Sequence, residues 1–187
     1  GPHSFDGRFY KVDDAQIFTL PQQPPPIYVA ANVNRSAKLA GKFGDGLIAV
    51  SSKKELLETF EQNGGAGKPR LGNVTVCYSS SQEQAQRIAF ETWPTTGLPS
   101  KDHWELPTPA AFEQAVKEQR VTETQAAKSI VCGPKVSDHV EAIEKFVEAG
   151  FTHVGVKQCG PEQEAFYRFY REQVLPALAS KKLVAAK

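Results

Sequence analysis

Apolar residues fall along this chain in two alternating patterns. Residues 27–31 and 47–50 are uninterrupted apolar runs of strand length. Between them, residues 36–43 carry Ala37, Leu39, Ala40 and Phe43 at mixed three- and four-residue steps, as on one face of a helix. Gly41 weakens that helix, and Gly44, Asp45 and Gly46 close it. The pattern predicts a β–α–β unit, which requires parallel strands and a right-handed crossover.

The rhythm then repeats. Residues 53–62 predict a helix with Leu56, Leu57 and Phe60 on one face, stopped by Asn63, Gly64 and Gly65. Residues 73–78 predict a strand in which Val74 and Val76 alternate with Thr75 and Cys77. Residues 81–93 predict a helix capped by Ser81 and burying Ala85, Ile88 and Ala89. Later come a helix over 136–149 with Val140, Ile143, Phe146 and Val147 inward, and a strand over 153–158. Gly160 and Pro161 open a final helix that buries Phe166, Phe169, Tyr170, Val174 and Leu175. Residues 183–187 are expected to fray.

Two segments depart from the rhythm. Residues 4–26 are an entry segment, with Asp6 and Gly7 as a hairpin turn between Phe5 and the pair Phe9 and Tyr10. Pro21, Pro24, Pro25 and Pro26 then form a stiff lead into the first strand. Residues 94–128 hold four prolines, the run Asp102, His103, Trp104 and a helix near 110–119. They read as an insertion covering one end of the sheet, followed by a short extended run at 129–132. Strands opening at Ile27, Leu47, Asn73 and His153 give four strand–helix units, consistent with a doubly wound sheet or a (β/α)8 barrel. A whole barrel has eight units and about 250 residues, so this chain holds half of one.

Composition narrows the function classes. The chain has 187 residues, 40% of them apolar and 23% charged, with a net charge of +1. That balance offers no electrostatic case for binding nucleic acid or an anionic membrane. No apolar run approaches the roughly 20 residues of a membrane span. Three cysteines, Cys77, Cys132 and Cys159, show no CxxC spacing and read as structural thiols. An odd count without a secretion signal points to a reducing, cytoplasmic compartment. Gly1, Pro2 and His3 read as the scar of tag removal, leaving 4–187 as one domain. With no methionine in the sequence, even at position 1, the native chain is expected to begin upstream.

Several motifs carry a family resemblance. They are Gly44-Asp45-Gly46, then Val131-Cys132-Gly133-Pro134 with His139-Val140-Glu141-Ala142-Ile143, and Ala149-Gly150-Phe151. With them stand Gly160-Pro161-Glu162-Gln163-Glu164, the cluster Phe166, Arg168, Phe169 and Tyr170, and Val174-Leu175-Pro176. Together they resemble the glucose-6-phosphate-dehydrogenase-type branch of the deazaflavin (coenzyme F420)-dependent oxidoreductases, within the bacterial-luciferase-like (β/α)8 superfamily. The run Phe5-Asp6-Gly7-Arg8-Phe9-Tyr10 matches the segment before the family's fifth strand. The resemblance covers essentially the whole chain and implies half of a TIM barrel, strands five to eight. It implies coenzyme F420 as cofactor, with flavin mononucleotide the less favoured alternative. In relatives the other, N-terminal half carries most of the deazaflavin pocket and the His, Trp and Glu of hydride and proton transfer.

The resemblance also implies site residues. Ala31, Asn32, Val33 and Asn34 match the relatives' phosphate-gripping loop, with the asparagines near glycine positions, where they would tolerate left-handed backbone. A turn at the mouth of a helix suits an anion, because free N–H groups and the helix dipole point at it. The other reading of Asn32, Asn34 and Ser36 is a helix cap. Ser51 and Lys53 match the substrate-phosphate region after the sixth strand, where Val50 replaces a Thr. Two further phosphate cations map onto His103 and Lys128. Lys53 and Lys128 are equally readable as solvated surface charge. In the last strand, alternation puts Val154 and Val156 toward outer helices and His153, Gly155 and Lys157 toward the barrel interior. Lys157 there suits an anionic or sugar-phosphate-like substrate, and Gln158 suits a loop cap. His139 reads as structural. His103 and Trp104 read either as lid residues or as packed aromatics.

Three functions fit these readings. The chain is the C-terminal half of a deazaflavin-dependent oxidoreductase, inactive or nearly so without the other half. Or it is a half-barrel that pairs with a second copy and performs no catalysis. Or it is an α/β phosphate-binding domain unrelated to hydride transfer.

Overall fold

The predicted strands assemble into one parallel sheet, with a separate hairpin ahead of it. The computed structural model describes residues 1–181; the fraying expected at 183–187 lies outside them. Strands β1 (His3–Asp6) and β2 (Lys11–Ala15) form an antiparallel hairpin closed by a Gly7 N–H to Tyr10 carbonyl bond of 3.0 Å. His3 pairs with Ala15, so the strand begins inside the stretch set aside above. The sheet holds β3 (Tyr28–Ala30), β4 (Gly46–Ala49), β5 (Arg70–Cys77), β6 (Val131–Cys132) and β7 (His153–Gln158), all parallel. Strand β5 starts three residues before the expected Asn73, because Arg70 and Leu71 pair with Leu47 and Ile48 of β4.

The order is β3–β4–β5–β7, with β6 added beside β5. Its side follows from the register. Val76 already bonds Gln158 of β7, so Val131 of β6 must take the other edge, the one β4 occupies earlier at Arg70–Gly72. Between those two partners, Asn73 to Thr75 of β5 pair with β7 alone. The sheet does not close: among the described residues β3 and β7 each pair on one edge only.

Helices lie between and after the strands. These are α1 (Asn34–Phe43), α2 (Lys54–Phe60), α3 (Gln82–Thr92) and, across the insertion, α4 (Asp102–Glu105), α5 (Pro109–Glu118) and α6 (Glu123–Ala126). Then follow α7 (Val136–Ala149), α8 (Gln163–Phe169) and α9 (Leu175–Ser180). The main core joins Leu47, Ala49, Val74 and Val76 of the sheet to Phe60 of α2, Phe146 of α7 and Val174 near the C-terminus. Helix α8 runs through a wide turn, Tyr170–Val174, into α9. Pro176 explains the widening, since its ring displaces the carbonyl four residues back and it has no N–H to offer.

Local chemistry fixes the first unit. Asp45 clamps the entry to β3, its N–H bonding the Ile27 carbonyl at 2.7 Å and its carboxylate accepting the Ile27 N–H at 2.8 Å. The Lys68 ammonium bonds the carbonyls of Gly41 and Gly44, both at 2.9 Å, at the negative end of α1. Gly41 lets α1 approach the end of α2: a Cβ there would lie 2.5 Å from the Phe60 carbonyl oxygen. His139 of α7 is fully buried, with Nδ1 at 2.8 Å from the Tyr170 hydroxyl and Nε2 at 2.9 Å from the Gly133 carbonyl.

Candidate functional site at the rim of the open sheet

Because the strands are parallel, the turns that leave their C-terminal ends share one rim. Ala31 follows β3, Ser51 follows β4, and Lys157 lies next to the last residue of β7. Ala31 is buried and its N–H bonds the Ile48 carbonyl at 2.8 Å, which anchors the turn to β4. Asn32, Val33 and Asn34 then emerge into solvent.

The cap of α1 differs from the expectation. Val33 occupies the cap position in extended conformation, and its side chain makes no capping bond. Neither asparagine caps the helix, and neither adopts the left-handed backbone expected of a glycine replacement; among the described non-glycine residues only Asp14 and Arg120 do. Asn34 is already the first helical residue, so the turn is made with ordinary extended and helical geometry. Ser36 turns its hydroxyl back onto the Val33 carbonyl at 2.9 Å. The N–H groups of Asn34, Arg35 and Ser36 therefore have no partner in the helix, and the first turn holds no acidic residue. This is a fit for an anion: exposed donors, a positive helix end, and no competing carboxylate.

The sheet has a break on one side of β5. Where Asn73 to Thr75 lack a partner on one edge, a cleft of about 360 Å³ opens, lined by Val50, Ser52, Asn73, Thr75, Ser129 and Lys145 among others. Ser51, Lys53 and Lys128 do not line it themselves: Ser51 and Lys53 flank Ser52, and Lys128 precedes Ser129. Lys53 is exposed at the cap position of α2, and Lys128 is exposed in the turn Ala127–Ser129. Lys145 forms a 2.9 Å ion pair with Glu141 one turn earlier on α7. Ser52, Asn73, Thr75, Ser129 and Lys145 had not been singled out. Thr75 carried a signal, since it alternates with the buried valines; the others depend on pairings distant in sequence.

Lys157 faces the uncovered side of β7, with His153 and Gly155, while Val154 and Val156 pack on the core. Its ammonium sits 4.3 Å from the centre of the Trp93 ring, which comes from the end of α3. A cation over an indole face is held without being neutralised, so its charge stays available at the rim. Gln158 points the other way and clamps the backbone of Tyr78 with two hydrogen bonds, of 2.8 and 3.2 Å. His103 and Trp104 sit apart on α4, both exposed; Trp104 is 82% accessible and is not a packed aromatic. Among the described residues no cluster of His, Cys, Asp or Glu is arranged to hold a metal ion. No described helix is long and apolar enough to cross a membrane.

The sequence profile of the luciferase-like monooxygenases matches residues 1–158. An F420-dependent glucose-6-phosphate dehydrogenase of Microbacterium testaceum (strain StLB037) is 28% identical over 191 residues, spanning 95% of this chain and 56% of that protein. Its counterpart in Kribbella flavida (strain DSM 17836 / JCM 10339 / NBRC 14399) is 32% identical over 191 residues, spanning 94% of this chain and 55% of that protein. Among solved structures, an F420-dependent secondary alcohol dehydrogenase in complex with an F420–acetone adduct superposes with a TM-score of 0.74 at 20% identity. That match covers 95% of this chain and 56% of the other. The chain thus spans a little more than half the length of the relatives it matches.

Proposed function

The chain belongs to the luciferase-like monooxygenase family, and from that premise we propose that it is the C-terminal half of an F420-dependent oxidoreductase. The observation that carries the reading is the start of α1 at the sheet's rim, where no side chain caps the helix, the N–H groups of Asn34, Arg35 and Ser36 have no partner within it, and the first turn holds no acid. In this proposal those groups hold the phosphate of coenzyme F420. Ala31 seats the turn on β4, and Asn32 and Val33 shape its approach. Bound there, the deazaflavin would supply a hydride donor or acceptor.

The second half of the proposal concerns substrate. Ser51, Lys53, Lys128 and Lys157 form part of a pocket for an anionic, sugar-phosphate-like molecule. Three lysines at one rim favour a negative group, and Trp93 fixes the direction of Lys157. Val50 lines the cleft where the resemblance expects a hydroxyl, which weakens the grip on a phosphate relative to the sugar-phosphate enzymes. Alone, the chain is expected to be inactive or nearly so. The test is a titration of coenzyme F420 followed by its fluorescence, with flavin mononucleotide as comparator. Saturable F420 binding, weakened at least about fivefold by Asn34→Asp, supports the reading, because an acid at a helix start repels an anion. Flavin mononucleotide binding more tightly, or Asn34→Asp leaving F420 affinity unchanged, would refute it.

One observation favours a second reading. The free edges of β3 and β7, with the uncovered face carrying His153, Gly155 and Lys157, offer a template for another sheet. Two copies would then complete a barrel-like layer without catalysis. A solution mass of twice the chain, with no F420 binding, would favour it.

A further inference from the structure

Cys77, Cys132 and Cys159 are far apart in sequence, yet the sheet packs them into one small cluster with Ala85, Ala89 and Ile130. Cys77 ends β5, Cys132 ends β6, and the two are register partners. On the other edge of β5 the register with β7 runs Thr75 to Lys157 and Val76 to Gln158, and the Cys159 N–H bonds the Val76 carbonyl at 2.9 Å. One further step sets Cys159 beside Cys77. Adjacent strands lie about 4.8 Å apart, within the roughly 4.4–6.8 Å span of Cα atoms that a disulfide bridges.

The three thiols are not equivalent. Cys77 is fully buried, Cys132 nearly so, and Cys159 is half-exposed at the loop into Gly160 and Pro161. A hydrogen bond from Cys77 to the Cys159 sulfur pushes Cys77 up, and burial adds to the rise. The same bond holds Cys159 below the ordinary thiol range, helped by the nearby Lys157 charge. Burial, then the neighbouring Cys159, pushes Cys132 up to about 11. Solvent access, a stabilised sulfur anion and an adjacent second thiol are what a redox-responsive pair needs.

We propose that Cys159 and Cys77 form a peroxide-responsive dithiol, with Cys159 the reacting thiolate, Cys77 the resolving thiol and Cys132 a bystander. The Cys159 thiolate attacks one peroxide oxygen; the O–O bond breaks and hydroxide leaves. Cys159 then carries an S–OH group. The Cys77 sulfur attacks the Cys159 sulfur, the S–O bond breaks, and the oxygen departs with the Cys77 proton as water. The two thiols lose two electrons in all, and the peroxide gains them. The product ties β5 to β7 at the rim, two residues beyond Lys157.

Hydrogen peroxide added to the full chain at neutral pH, followed by peptide mapping without reductant, tests this. The expected product joins the peptide of Cys77 to that of Cys159 and leaves Cys132 free for alkylation. In Cys77→Ser, reaction should stop at a sulfenic acid on Cys159, captured by dimedone. Cys159→Ser should slow peroxide consumption about tenfold or more, the effect of removing the most accessible thiol and the one whose anion is stabilised. A Cys77–Cys132 bridge, a disulfide between two chains, or a folded Cys159 no faster than Cys132 would overturn the proposal. The mapping of the unsubstituted chain decides the matter even where a serine variant fails to fold.

Discussion

On one face of β5, Gly72, Val74 and Val76 are buried against the helices; on the other, Leu71, Asn73 and Thr75 remain half-exposed, beside the exposed His153, Gly155 and Lys157 of β7. The same strands make both faces. On the covered face the packing is close enough that a Cβ on Gly72 would lie 2.3 Å from the Phe146 ring. Beyond Leu71 and Gly155 the uncovered face of these two strands is polar, and it receives a lid at its far end, where Trp93 meets Lys157 and Cys159 joins Cys77. One apolar face suffices to build a core. The other face is free to carry amide, hydroxyl and ammonium groups, which suits a site for a charged ligand. The N-terminal hairpin extends the contrast: Phe9, Tyr10 and Phe18 are 79–87% accessible, aromatic groups that find no cover within the described residues.

Substitutions on the two faces should separate them by size of effect. Phe60→Ala, at a fully buried position, should cost about 3–5 kcal/mol through lost transfer energy and the cavity left behind. Leu71→Ala on the open face should cost less than about 1 kcal/mol. Urea unfolding of both variants checks the comparison, and equal costs would break it.

His139→Gln should be the next largest, about 1–3 kcal/mol, since it strands the Tyr170 hydroxyl and the Gly133 carbonyl in the core. It should also alter the pH dependence. Burial holds the His139 imidazole below its ordinary 6.5. The unfolded chain takes up a proton that the folded chain refuses, so this stabilisation is fully present above about pH 6.5 and is lost as pH falls toward the lower folded value. Unfolding midpoints of parent and variant should therefore converge as the solution is acidified.

Smaller effects follow from single polar contacts. Lys68→Met removes two bonds to the carbonyl end of α1 and should cost about 1 kcal/mol in the same unfolding assay. Lys157→Ala should change stability by about 0.5 kcal/mol or less, because the ammonium is exposed and rests only on Trp93. Its larger effect is expected on affinity for an anionic ligand, read by competition against inorganic phosphate.

Short-range signals made much of the fold legible. The Ser81 hydroxyl caps α3 by accepting the Gln84 N–H at 3.2 Å, as its position implies. Helix α7 spans Val136–Ala149 as the periodicity predicts, stopped by Gly150 at φ 103°. Alternation in β7 separated Val154 and Val156 from Lys157 correctly. The features that escaped depend on distant pairing. Nothing local announces that Val131 and Cys132 join the edge of β5, or that three isolated cysteines meet. Of the two readings of the turn before α1, the cap is the one that fails: Asn32 and Asn34 are the better capping residues by type, yet the helix begins so that Val33 takes the position.

The most direct measurement is on the first-turn amides of α1. Backbone NMR shifts of the chain, followed as coenzyme F420 is added, should move most at Asn34, Arg35 and Ser36, with smaller changes at Lys53 and Lys157 across the rim. Shifts concentrated in the hairpin or on the helix-covered face, or none at saturating cofactor, would contradict the assignment of the cofactor grip to the start of α1.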